Sequence, residues 1–262
     1  MLPTTASTFT ALLYYLSAFL IFKQLGAAQR LRWVAMAPAI VAMLLQAAAL
    51  SALIIQPQGL NLGFFAAFSL IAWLISIQIL LSSVYRRIES LGIIVFPISG
   101  IASVIASLHL SDHLISITNN AMRGHIMISV IAYSLITLGA CQAGLLAYQD
   151  RSIRQHHPGG FIRFLPPLHD METLLFQFLG FGFICLSASL LSGFIYLEDI
   201  FAQHLVHKTV LSIIGWIILG ILLFGRYKFG WRGKIAINWT LSAFAFLMLA
   251  FFGSKLVLEF IL

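Results

Sequence analysis

The sequence predicts an all-α fold: a polytopic membrane helix bundle of eight transmembrane helices with both termini outside. Three observations predict it. Hydrophobic residues make up 61% of the 262 positions and charged residues only 9%, against roughly 45–50% and 25% in soluble domains. The apolar residues gather into eight runs long enough to span a bilayer. Lys and Arg concentrate in alternate connections, which orients the chain. Too few charges remain to clothe a soluble enzyme, and disorder is excluded by the hydrophobicity.

The runs are taken in order. The first, about 7–23, is preceded by MLPTTA and followed by Lys23. A cleaved signal peptide shows the reverse order of charge and apolar segment, so this run reads as a retained helix. Runs at about 33–55, 64–84 and 91–108 follow, then 124–149, 173–196, 208–225 and 236–258. All are too long for barrel strands and lack period-2 alternation, and lipid demands that each segment satisfy its own backbone. The connection at about 150–172 is broken by Pro158, Gly159, Gly160, Pro166 and Pro167. No connection is long enough for a soluble domain, so residues 1–262 read as a single integral membrane domain. No internal repeat is evident.

Twelve basic residues fall on one side: Lys23, Arg30, Arg32, Arg86, Arg87, Arg151, Arg154, Arg163, Arg226, Lys228, Arg232 and Lys234. Three fall on the other: Arg123, Lys208 and Lys255. The positive-inside rule makes the first set cytoplasmic, and the expected location is the bacterial cytoplasmic (inner) membrane. The formal charge of +7 is then a membrane signature. No basic segment is interleaved with exposed aromatics, so nucleic acid is not a partner. The partners implied are the lipid bilayer and a membrane or periplasmic protein.

Chemistry-bearing residues are few. No Asp or Glu lies near the middle of a run, which argues against a proton- or cation-coupled transporter. Gln46, Gln78, Gln142 and Gln177 lie within runs and are expected to bond neighbouring helices. Cys141 and Cys185 sit in apolar runs without a CxxC or CxxCH, so neither a redox pair nor covalent c-type haem is expected. Glycines and serines at close spacing, such as Gly139, Gly144, Gly180, Gly182, Ser189 and Gly193, suit close helix packing. GxSxG, Walker and HExxH motifs are absent.

Of the eight histidines, His156, His157 and His169 map to the cytoplasmic connection. His156 and His157, flanked by arginines, suit an anionic lipid or a plain solvated loop. His109, His113, His125, His204 and His207 map to the outer side. Imidazole ligates haem iron and transition metals, and two outer loops would have to converge for such a site. His125 stands at the outer start of the fifth helix with apolar residues following. It is placed to offer one ring nitrogen to a ligand, the other being held by a backbone carbonyl or by Asp112. Glu198 and Asp199, with the nearby histidines, offer an alternative divalent-cation set.

Three segments in the second half carry a resemblance. They are His125-Ile126-Met127-Ile128-Ser129-Val130-Ile131-Ala132-Tyr133-Ser134, then Phe178-Leu179-Gly180-Phe181-Gly182-Phe183 running on to Leu191-Ser192-Gly193, then Lys208-Thr209-Val210-Leu211-Ser212-Ile213-Ile214-Gly215-Trp216. With Gly230-Trp231-Arg232-Gly233-Lys234 and Phe251-Phe252-Gly253-Ser254-Lys255 they span about 124–256. In this order they resemble the CcsA-type cytochrome c assembly proteins, and most closely their shorter YpjD-like inner-membrane branch. The resemblance implies haem handling at the outer face, with haem presented for attachment to apocytochrome c. It implies that His125 is a haem-iron ligand; the outer histidines His204, His207 and His113 are then the candidates for the second axial group, with His204 preferred. The connection 197–207 stands where the family carries a Trp-rich motif but has no tryptophan, Phe224 replaces a membrane histidine, and the family's late outer histidine has no counterpart. These departures argue against cytochrome c synthase activity. The alternative function is a membrane accessory in divalent metal-ion homeostasis without haem chemistry.

Overall fold

Apolar runs of more than twenty residues become helices because only a helix pairs every backbone group within its own segment. The computed structural model describes residues 2–24, 32–56, 59–61, 63–85, 88–109, 114–115, 120–155, 165, 167–196 and 203–253. Its helices are α1 (Leu2–Lys23), α2 (Arg32–Ile54), α3 (Phe64–Tyr85), α4 (Gly92–Leu108), α5 (Asn120–Arg154), α6 (Leu168–Tyr196), α7 (Gln203–Phe229) and α8 (Lys234–Met248). Among the described residues, eight helices are long and apolar enough to cross a membrane. The protein is a polytopic helical membrane protein. A π turn, Leu249–Gly253, continues α8. Three short antiparallel strands, β1 (Ile55–Gln56), β2 (Gly59–Asn61) and β3 (Leu114–Ile115), pair in that order beside the helix ends.

Contacts gather into two compact units, residues 1–117 and 118–262. In the first, α1 packs on α2 and α4, and α3 on the same two. A polar seam runs through its apolar interior. The Tyr14 hydroxyl donates to Gln46 Oε1 (2.8 Å), and Gln46 Nε2 donates to Ser69 Oγ (3.0 Å). Ser99 Oγ donates to the Ala72 carbonyl (3.1 Å) and Trp73 Nε1 to the Met43 carbonyl (2.8 Å). Tyr14, Gln46 and Ser99 are fully buried, so each bond replaces water that lipid does not supply.

The second unit repeats the plan: α5 packs on α6 and α8, and α7 on the same two. The most extensive pairing is α5 with α6, and glycine permits it. A Cβ at Gly139 would meet Leu179 Cδ2 at 2.9 Å, and one at Gly182 would meet Ile136 Cγ1 at 2.8 Å. Gly144 and Gly180, grouped with these two by spacing, face open space. The expected inter-helix glutamine bonds form at Gln46 and at Gln142, whose Nε2 donates to the Met171 carbonyl (3.3 Å); Gln177 is exposed.

Helices α5, α6 and α7 overrun the sequence-based edges. α5 continues to Arg154 because Asp150 and Arg154, four residues apart, form an ion pair (2.9 Å) along its side. At the same end of the unit, Gly233 N donates to Glu172 Oε1 (2.7 Å) and Arg226 covers the Phe176 ring (4.6 Å). Trp231 lies over Gly225, and its ring centroid is 5.5 Å from that of Trp239. Gly230 and Gly233 take positive φ (65° and 55°) in this tight connection.

Candidate functional site

The site is built at the α5 start, where four polar side chains interrupt two apolar helices. His125 and Ser129 are one turn apart on α5; Ser189 and Ser192 are three residues apart on α6. These spacings put each pair on one helix face. His125 Nδ1 lies 2.8 Å from Ser192 Oγ. Ser192 Oγ donates its proton to the Ser189 carbonyl (2.9 Å). Ser129 Oγ donates to the His125 carbonyl (2.7 Å) and lies 2.6 Å from Ser189 Oγ.

A hydroxyl has one proton, and that decides the tautomer. Ser192 has committed its proton to Ser189, so toward His125 it accepts. His125 Nδ1 therefore carries the hydrogen, and Nε2 keeps its lone pair. By the same reasoning Ser189 donates to Ser129. The four residues form a ring of directed bonds joining α5 to α6. Among the described residues the ring's bonds are to Ser192 Oγ at Nδ1 and to the Ser189 backbone. A metal-ligating histidine has one nitrogen anchored in this way.

Tyr133, two turns further along α5, aligns the remaining elements. Its hydroxyl is 3.3 Å from Ser212 Oγ on α7, and its ring is 4.9 Å from Phe251 in the π turn after α8. Lys208, one turn before Ser212, places its ammonium 5.5 Å from the Phe251 centroid, near enough for its charge to act on the His125 ring. α5 and α7 run in the same direction, each packed antiparallel against α6. His125 stands eight residues before Tyr133 and His204 eight before Ser212, each about 12 Å along its axis. The two positions thus lie toward the same end of the unit. Trp216 ties α7 to α6, its Nε1 donating to Ser187 Oγ (2.8 Å) with its ring stacked on Phe183 (5.4 Å).

The other expected ligands divide. His207 is exposed, about 100° around α7 from Lys208. His113, Asp112, Glu198, Asp199, His156 and His157 lie outside the described residues, as does the His204 side chain. The group that holds Nδ1 is thus Ser192, where a backbone carbonyl or Asp112 is expected from the sequence. His109, also passed over as a ligand, ends α4 in the first unit. Its Nδ1 is 3.3 Å from the Ile105 carbonyl and its ring 4.8 Å from that of Phe65. Among the described residues no three His, Cys, Asp or Glu side chains come together as a metal site. Cys141 and Cys185 are free thiols.

Comparison with known proteins agrees with the resemblance and extends it into the first unit. The family model described as cytochrome C assembly protein matches residues 33–262. The inner membrane protein YpjD of Escherichia coli K12 is 28% identical over 233 residues, 88% of each chain. A 28.8 kDa protein from the nifR3-like 5′ region of Azospirillum brasilense is 34% identical over 140 residues, 53% of this chain and 52% of its own. The cytochrome c biogenesis protein CcsA of Chlamydomonas reinhardtii is 21% identical over 155 residues, 56% of this chain and 43% of its own. No solved structure matches the chain. With all eight helices present and the family model covering all but the first of them in full, the chain belongs to the cytochrome c assembly protein family.

Proposed function

We propose that this protein binds haem at the outer face of the bacterial inner membrane and hands it on within cytochrome c assembly, with His125 as an axial ligand. The observation that carries the proposal is the Ser192–Ser189 anchor, which holds the His125 ring by Nδ1 and so turns Nε2 away from Ser192. The donor set suits haem: a neutral imidazole, a histidine position at the same end of α7, an aromatic wall of Tyr133 and Phe251, and a nearby ammonium. Bound there, haem supplies the iron to be ligated and the porphyrin to be passed on. The chain's own residues orient the ligand nitrogen, exclude water through Phe251 and Tyr133, and hold the Nδ1 proton on His125.

His204 is the preferred second ligand, with His207 and His113 as alternatives. The basic asymmetry supports the outer face, and the name of the E. coli relative supports the inner membrane. The carboxylates of the divalent-cation reading, Glu198 and Asp199, lie outside the described residues. The test is purification in mild detergent with haem supplied, followed by visible spectroscopy of wild type and His125→Ala. A Soret band that shifts or weakens in His125→Ala, while the variant still inserts and folds, supports the reading. An identical band in both, or none in the wild type, overturns it.

A further inference from the structure

The second unit holds a cation that the haem-ligand reading does not use. Lys208 is set back from water on α7, between Phe251 and the His125 end of α5. Among the described residues its ammonium meets no carboxylate and no hydrogen-bond acceptor; its contact is the face of Phe251. The described carboxylates of this unit are Asp150, Asp170 and Glu172. They stand at the opposite ends of the helices, where Asp150 pairs with Arg154 and Glu172 accepts from Gly233. A desolvated ammonium without a counter-charge is costly, and charges kept in membrane segments are kept for a partner. The aromatic face repays only part of that cost.

We infer that Lys208 is the carboxylate-recognition residue of the site, selecting a porphyrin with free propionates over a neutral one. The inference rests on the haem reading above. It assigns a division of labour: His125 recognises the metal, and Lys208 recognises the acid groups carried by the ring. One turn separates Lys208 from Ser212, and the Tyr133–Ser212 contact fixes that turn against α5. The ammonium and the imidazole are therefore held on facing helices of one unit, as a ligand with both a metal and a carboxylate requires.

The test uses the full-length protein in a phospholipid-free detergent, titrated with haemin and with haemin dimethyl ester, whose propionates are uncharged. Wild type is expected to bind haemin about tenfold or more tightly than the ester, the range for a desolvated charge pair. Lys208→Gln should bring the two affinities together, and Lys208→Arg should keep the preference. A readout independent of haem is apo-protein stability: Lys208→Met should raise the melting temperature, because it removes a charge that no described carboxylate compensates. Equal binding of both porphyrins by wild type overturns the inference and leaves the His125 reading standing. A preference that appears only after Glu198→Gln and Asp199→Asn also overturns it, since Lys208 then serves its own loop. So does loss of the preference on adding anionic phospholipid, which assigns the ammonium to a headgroup. Absence of a Soret change with either porphyrin overturns both readings.

Discussion

His125 Nδ1 and Ser192 Oγ are 2.8 Å apart, and the direction of that bond is forced by the next one, from Ser192 to the Ser189 carbonyl. A ring flip would turn a carbon toward Ser192 and give up the bond, at about 1 kcal/mol. The ring is held before any ligand arrives, so little ordering remains to be done on binding.

Ser192→Ala should therefore weaken haem binding about 10–100-fold, the usual effect of removing a group that orients a metal ligand. Ser192→Thr, which keeps the hydroxyl, should restore most of it. Haem titration followed at the Soret band checks this. Equal affinity in wild type and Ser192→Ala would show that the anchor has no bearing on the ligand.

The two close glycines on α6 should respond in opposite directions. Gly182→Ala drives a methyl to 2.8 Å from Ile136 Cγ1 and should destabilise by about 1–3 kcal/mol. Gly180→Ala meets nothing within 4 Å and should stabilise by about 0.5–1 kcal/mol, through helix propensity. Thermal unfolding in detergent of the two variants beside wild type distinguishes them.

These two glycines also mark what sequence can and cannot reveal. Eight spans were legible because run length and hydropathy follow directly from bilayer thickness. Gly180 and Gly182 were legible only as small residues, since helix-face assignment needs the partner helix. Ser129, Ser189 and Ser192 are legible only as small polar residues within apolar helices. The available signal was two polar pairs at helical spacing on otherwise apolar helices, His125 with Ser129 and Ser189 with Ser192. That signal does not say the pairs face each other. The three-stranded patch escaped because β1 and β3 are two residues long.

In the first unit, Gln46→Leu should cost about 1–2 kcal/mol, because it strips the buried Tyr14 hydroxyl of its acceptor. Adding Tyr14→Phe should recover part of the loss, since both ends of the bond are then apolar. A double-mutant cycle on the melting free energies measures the coupling. Strict additivity would mean that the seam is not cooperative.

Topology is tested by reporter fusions. A phosphatase fused after Leu262 should be active, and one fused in the 156–163 connection inactive, as the distribution of twelve basic residues against three requires. The opposite pattern would place His125, Ser192 and Lys208 on the cytoplasmic face and remove the site from any periplasmic acceptor.

The length of α5 has a mechanical consequence. Its 35 residues make a rod of about 52 Å, against a hydrocarbon core of about 30 Å. About 20 Å of it must stand clear of lipid even with some tilt. The Asp150–Arg154 pair braces the far tip. A helix is stiff along its axis, so α5 is a strut with a handle on one face and the imidazole at the other. Whatever grips the Arg154 tip, a neighbouring subunit or a soluble protein, pulls on the same rod that sets the height of His125.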